Sequence, residues 1–138
     1  MAEAERWFRQ AERDIEAAAN LRDSGDYNWS CFVAQQAAEK AVKALHAARG
    51  EDVERVHSIL ALIQGDRRTG IRPLAELQSL ADAARELDRV YIPTRYPNGV
   101  PFGIPSDFFG QRNAEDCLQW AGDILETVRR QLPNMSPP

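Results

Sequence analysis

Apolar side chains recur at every third or fourth position through most of the chain, which is the spacing of an amphipathic helix. This pattern predicts helices over residues 4–23, 27–49, 54–64 and 74–92, and a fifth that begins near Asn113. Residues that favour helix ends lie between them: Asp26 is a candidate N-cap, and Gly50 is a natural C-terminal stop. No two-residue turn is flanked by alternating apolar residues, so the sequence predicts no β-strands.

One segment departs from this pattern. Residues 91–103 read YIPTRYPNGVPFG, with three prolines and two glycines, and Pro105 follows. Prolines hold the backbone extended and reduce the entropy lost when it becomes ordered. Gly99 and Gly103 permit turns that would strain other residues. We therefore predict a stiff, irregular connection that continues to about Gln111 and can hold Arg95 against the helices.

These elements predict an all-α fold. The expected architecture is an up-and-down bundle of about five helices, four long and one short, with the Pro/Gly-rich loop before the last helix. A chain of 138 residues suits one domain, which we expect over residues 1–132. The sequence PNMSPP at residues 133–138 predicts a loose C-terminal tail.

Composition and charge narrow the classes of function. The formal net charge is −4, which argues against a broad basic face for duplex nucleic acid but permits a pocket for one nucleotide or a short single strand. The N-terminus has charges from residue 3 onward and no apolar signal-peptide core, and no run approaches the length of a membrane span. Cys31 and Cys117 lie in separate apolar patterns. We therefore expect a cytoplasmic protein with reduced, buried cysteines and no membrane association.

The second predicted helix carries a polar strip beside its small apolar residues. The strip comprises Phe32, Gln36, Glu39, Lys43 and His46, flanked by Gln35 and Lys40. Glu39 and Lys43 form an i, i+4 pair in the favourable order. On a solvated face this pair would contribute only about 0.3–0.5 kcal/mol. Alternatively, the strip faces a cleft or a second subunit, where its amide, carboxylate and ammonium groups would bind a polar ligand.

Two further polar residues have alternative interpretations. Asp14 lies at the edge of the first helix's apolar face, where it either contacts water or requires Lys40 or Lys43 as a partner. His57, near the start of the third helix, either hydrogen-bonds a backbone carbonyl or reaches a ligand pocket. No second His, Cys or carboxylate lies at ligand spacing from it, so we predict no metal site and no cofactor.

Several of these segments together resemble the HEPN domain (higher eukaryotes and prokaryotes nucleotide-binding domain). The second-helix run FVAQQAAEKAVKA, residues 32–44, and the Arg95-Tyr96-Pro97 element are the most specific. The other matching positions are Ala11 and Asp14, Gly25-Asp26-Tyr27, His57, and Leu87-Asp88-x-x-Tyr91. The resemblance extends over residues 8–132.

The resemblance implies a bundle of about five helices that commonly forms a homodimer. It also implies a toxin–antitoxin-like unit with a small nucleotidyltransferase, or a metal-independent ribonuclease with Arg, four to six residues, then His. That motif is absent, since no His follows Arg95 and the two histidines are His46 and His57. Arg55 precedes His57 by two residues, which does not fit the spacing. We therefore do not expect an enzyme that uses this motif.

The residues favour a pocket in which the proline-rich segment meets the polar strip. Arg95 would bind phosphate, and Tyr96 would stack on the ligand or donate a hydrogen bond. The predicted ligand-binding residues are Gln36, Glu39, Lys40, Lys43, His57, Arg95 and Tyr96, with Asp14 as a supporting charge partner. Alternatively, Arg95 pairs with Glu39 or Asp14 and only fastens the loop.

The function predicted from these observations is a non-catalytic module that binds a nucleotide or another phosphate-bearing ligand, pairs with a nucleotidyltransferase, or does both. The alternatives are a ribonuclease with an atypical residue set, which would bind RNA, and a purely structural helical dimer whose polar strip is the interface.

Overall fold

The computed structural model describes residues 2–132, so the predicted tail at 133–138 lies outside the described residues. Five α-helices follow one another: α1 (Ala2–Asp23), α2 (Tyr27–Ala48), α3 (Ile59–Gln64), α4 (Ala81–Arg89) and α5 (Gln111–Gln131). The predicted fourth helix, 74–92, is divided into a 3₁₀ helix, Ala75–Leu80, and α4, which meet at Leu80, where φ is −101° and ψ is 11°. The predicted all-α bundle of five helices is confirmed.

The second helix is the centre of the bundle because it packs along both α1 and α5. Its alanines allow neighbouring backbones to approach closely, and those at 34, 37, 38, 41 and 44 are fully buried. Larger side chains fill the space between the other helices; Phe8, Leu62, Leu77, Leu87 and Ile124 have no exposed surface. The apolar face predicted for the second helix is therefore the main internal surface of the protein.

The third helix is shorter than the predicted range of 54–64. It begins at Ile59, where the Ser58 side chain caps the Ala61 N–H at 3.0 Å. The Asp88 carboxylate, on α4, accepts from the N–H groups of Ile59 (2.8 Å) and Leu60 (3.1 Å) and from the Ser58 hydroxyl. Because these bonds satisfy the orphan donors of a helix end, the helix starts there and residues 51–58 remain irregular.

The proline-rich segment between α4 and α5 is fixed to the first part of α2. The buried Asn28 side chain donates to the Thr94 carbonyl at 3.0 Å, and Thr94 is itself fully buried. Gly99 lies so close to Pro93 that a Cβ would come within 3.0 Å of its Cα, and Gly103 has a φ of +68°. The predicted backbone role therefore holds for Gly103, whose φ is in the left-handed region, whereas Gly99 has no positive φ and is required instead by its close approach to Pro93.

The two cysteines lie together in the core as free, buried thiols. A hydrogen bond with Cys31 and burial raise the pKa of the Cys117 thiol far above its usual value, which keeps that thiol neutral. Within residues 2–132, no helix combines the length and the apolarity needed to cross a membrane.

Candidate functional site

The side chain of Arg95, on the proline-rich segment, packs against Phe32 of α2 and lies among three aromatic rings. Its guanidinium carbon is 4.4 Å from the Phe32 ring centroid, 4.5 Å from that of Tyr91 and 4.9 Å from that of Tyr96. The Nε–H donates to the Tyr91 carbonyl at 3.0 Å. These ring contacts and the hydrogen bond to the backbone hold the guanidinium in place. We call these four residues, together with His57, the Arg95 platform.

The guanidinium of Arg95 has no ion-pair partner among residues 2–132, so its two terminal nitrogens are not engaged by a carboxylate of the described chain. The two carboxylates expected as alternative partners are paired elsewhere: Asp14 with Lys40 and Glu39 with Lys43. Arg95 therefore does not fasten the loop through a salt bridge. A guanidinium in a fixed position with unpaired N–H groups has the donor geometry to bind an anion.

His57 extends the platform on the same aromatic ring. Its imidazole is stacked on Tyr91, with ring centroids 5.7 Å apart and an interplanar angle of 15°. Its Nδ1 lies 3.4 Å from the Glu39 carboxylate rather than on a backbone carbonyl. The imidazole is 54% exposed, so it is open to solvent and to a ligand.

Two aromatic side chains, one in the Arg95 platform and one beside it, are partly exposed. Tyr96 is 47% exposed and Trp29 is 44% exposed. Trp29 packs edge-on against Phe32, with centroids 6.1 Å apart. In such an arrangement the cation can contact a phosphate while an exposed aromatic ring stacks on a base.

Glu39 and Lys43 lie behind the platform, inside the protein. Their side chains are 5% and 2% exposed and meet at 3.0 Å. The Lys43 ammonium also donates to the Glu54 carbonyl at 2.8 Å and lies 5.4 Å from the Trp7 ring centroid. The second part of the polar strip is therefore not a solvated face, because residues 51–58 and α1 cover it.

The remaining predicted site residues occupy two places. Gln36 lies one helical turn after Phe32, and its amide donates to Gln35 at 2.7 Å. Lys40 pairs with Asp14 across α1 and α2 and lines a separate groove of about 790 Å³ along α1. The structure thus brings Arg95, Tyr96 and His57 together, connects Glu39 to them through His57, and places Lys40 and Lys43 elsewhere.

Two platform residues were not among the predicted ligand-binding residues: Phe32 was predicted only as part of the polar strip, and Tyr91 was not assigned to the site. Its ring contacts both His57 and Arg95, and its carbonyl accepts the Arg95 Nε–H. The sequence did contain a signal for Tyr91, the spacing Leu87-Asp88-x-x-Tyr91. Asp88 caps the helix that begins two residues after His57, which brings Tyr91, three residues after Asp88, near His57. Within the described residues, no three His, Cys, Asp or Glu side chains are grouped to hold a metal ion.

Comparisons with known proteins agree with this fold. The family model of the HEPN domain matches residues 4–131. Over 131 residues the chain is 28% identical to a protein of Methanocaldococcus jannaschii named "Putative toxin MJ1304", spanning 91% of this chain and 86% of that protein.

Two solved structures are similar over almost their whole length. The crystal structure of TT1696 from Thermus thermophilus is 40% identical with a TM-score of 0.84, covering 96% of this chain and 100% of that chain. The crystal structure of ST0689, described as an archaeal HEPN homologue, is 37% identical with a TM-score of 0.75, covering 95% of this chain and 98% of that chain.

Proposed function

Because the chain belongs to the HEPN domain family, we propose that it is a non-catalytic binding module whose Arg95 platform receives a nucleotide or another phosphate-bearing ligand. One observation supports this most directly: the Arg95 guanidinium is held among three rings without a carboxylate partner in the described chain. Paired N–H groups of a guanidinium match two oxygens of a phosphate. Because the ring contacts already hold this side chain in place, it would lose little further conformational entropy on binding a ligand.

The exposed rings would supply the remaining contacts of a nucleotide. A base stacked on an aromatic side chain contributes roughly 1–3 kcal/mol, with little dependence on base identity. Tyr96, which contacts the guanidinium, and Trp29, which packs on Phe32, are both partly exposed. The proposed ligand therefore carries both an anion for Arg95 and a flat apolar group for Tyr96.

The test is calorimetric titration of AMP and of inorganic phosphate into the wild-type protein and three variants. Arg95→Ala should weaken AMP binding about 10- to 100-fold, since a hydrogen bond to a charged group contributes about 1.5–3 kcal/mol. Arg95→Lys should recover only part of the affinity because it lacks the planar fork. Arg67→Ala, an exposed arginine on the Asp66–Ile71 turn, is the control and should bind normally. Equal affinity of Arg95→Ala and wild type would exclude the platform.

The proposed biological setting is a toxin–antitoxin-like pair in which the chain forms a homodimer and associates with a small nucleotidyltransferase. The relative named as a toxin supports this setting. The large exposed apolar side chains of the described chain also support it. Four of them, Ile92, Tyr96, Phe102 and Ile104, lie on the proline-rich segment, and the fifth, Trp29, lies on α2. Such rings are typical of interface centres.

Co-expression with the products of neighbouring genes tests the partner, and light scattering of the purified chain tests the dimer. A nucleotidyltransferase that co-purifies with wild type but not with Phe102→Ser would support the pairing. A monomer that retains none of the neighbouring products would contradict this setting while leaving the ligand proposal intact.

A second candidate is metal-independent cleavage of RNA, favoured by the stacking of His57 and Arg95 on one ring. His57 would take the proton of a 2′-hydroxyl as its oxygen attacks the phosphorus. The bond from phosphorus to the 5′-oxygen would break, with that oxygen taking a proton from water, and Arg95 would stabilise the charge developing on the phosphate. Cleavage of single-stranded RNA in the presence of a chelator, lost in both His57→Gln and Arg95→Ala, would favour this candidate. Intact RNA after prolonged incubation would exclude it.

A further inference from the structure

We infer that His57 is a second, proton-dependent cation of the Arg95 platform, so that anion binding there tightens when His57 becomes protonated; this regulation rests on the proposed function. The geometry is the starting point. The Tyr91 ring contacts both the His57 imidazole and the Arg95 guanidinium. We place the anion bound by Arg95 at this shared ring, where a charge on His57 would act on it.

The charges around His57 would change when an anion binds to the platform. From α2, the Glu39 carboxylate lies 3.4 Å from Nδ1, so a proton gained by His57 would lie beside a negative charge. Lys43 neutralises part of that effect from behind, at 3.0 Å from Glu39. From the proline-rich segment, Arg95 opposes a second positive charge. A bound anion offsets this repulsion, so protonation of His57 and anion binding reinforce each other.

Two other groups near His57 are engaged elsewhere, whereas the charged side chains of Glu54 and Arg55 are exposed to solvent. Asp88, on α4, uses its carboxylate for the Ser58 hydroxyl and the first N–H groups of α3. The Glu54 carbonyl accepts from Lys43. The other histidine, His46, is fully buried and contacts Glu51 and the Leu62 carbonyl. Of the two histidines, His57 is therefore the one that is exposed and lies on the platform.

A suitable probe keeps its own charge constant over the pH range. The dinucleotide d(ApA) meets this requirement because its phosphodiester, unlike a terminal phosphate, does not titrate near neutrality. It also lacks the 2′-hydroxyl that cleavage would need. Histidine side chains ordinarily change charge between about pH 5 and pH 8, so affinities are compared at about pH 5.5 and about pH 8.

The wild-type protein should bind d(ApA) about three- to tenfold more tightly at the lower pH, as expected for one added charge at a partly solvated distance. His57→Gln should show the weaker affinity at both pH values. His57→Lys, which supplies a permanent charge, should bind tightly at both. Calorimetry in buffers of different ionisation enthalpy should reveal proton uptake with wild type and not with His57→Gln.

The outcomes separate this regulation from the binding function itself. If d(ApA) binds equally well at both pH values and Arg95→Ala still weakens it, the role of His57 is refuted and the proposed function stands. If His57→Gln keeps the pH dependence of wild type, the inference is also refuted. If d(ApA) and AMP fail to bind at either pH, the proposed function is refuted first.

Discussion

The ammonium of Lys43 and the carboxylate of Glu39 meet inside the protein, where they are almost completely shielded from water. Without Lys43, the buried Glu39 carboxylate would retain only the longer 3.4 Å contacts of Gln35 and His57. A poorly compensated buried charge costs far more than the pair contributes. We therefore expect Lys43→Met to lower the free energy of unfolding by roughly 3–5 kcal/mol. Lys43→Met combined with Glu39→Gln should recover a large part of this loss. Urea denaturation measures both values.

Lys40→Met is the matched control, because Lys40 pairs with Asp14 at side-chain exposures of 25% and 16% rather than 2% and 5%. In that more solvated position the loss should be about 1 kcal/mol or less. Equal losses from the two lysine replacements would contradict the explanation from burial.

The sequence predicted the spacing of Glu39 and Lys43 but not their burial. An i, i+4 pair can be recognised in the sequence of one helix. The groups that cover this pair belong to other parts of the chain, Trp7 on α1 and the Glu54 carbonyl after α2. The partner of Asp14 was narrowed to two lysines from the sequence. Helix periodicity alone could not choose between them, because the choice depends on how α1 is rotated against α2.

At the scale of elements, α3 depends on a carboxylate from another helix. Six residues are too few to form a stable helix alone, and Asp88 accepts from the N–H groups of Ile59 and Leu60. Asp88→Asn should therefore lower the free energy of unfolding by about 1–3 kcal/mol, as for the loss of a charged cap. Chemical denaturation measures the change.

Asp82→Asn, in the first turn of α4, is the control for this substitution. Its carboxylate is 97% exposed and pairs only with Arg85 within the described chain, so the replacement should change stability by less than about 0.5 kcal/mol. A similar effect of the two substitutions would show that Asp88 does not support α3.

The boundaries of α3 show why elements were predicted better than their ends. Val56, Ile59, Leu60 and Ile63 have helical spacing, so the periodicity extended the prediction to residue 54. The actual start is fixed by Asp88, which lies about 30 residues further along the chain. A periodic pattern records which side chains face the core and contains no information about a cap supplied by another element.

For the whole molecule, the bundle was predictable because nearly every long segment repeats the same apolar spacing. The meeting of Arg95 with α2 was predicted only approximately. It occurs at the Phe32 end of the polar strip and not at Lys43, because the Asn28 side chain anchors the proline-rich segment through the Thr94 carbonyl. That contact joins residues 66 positions apart, and local sequence rules do not specify it.

Charge at the scale of the whole molecule limits the ligand that the platform can accept. The chain has a net charge of −4, and the proposed contact supplies one guanidinium, so a long polyanion would gain one favourable contact and meet repulsion elsewhere. We expect a plot of log affinity against log salt for a short single-stranded oligonucleotide to have a slope of about −0.7, the value for one phosphate contact.

Fluorescence anisotropy over a series of salt concentrations measures this slope for wild type and for Arg95→Ala. The slope should approach zero in the variant, because the released counterion belongs to the phosphate that Arg95 binds. A duplex of equal length should bind more weakly, since its bases are stacked on each other and cannot reach Tyr96. A slope several times steeper, or a preference for duplex, would require a broad basic surface and would remove Arg95 from the centre of recognition.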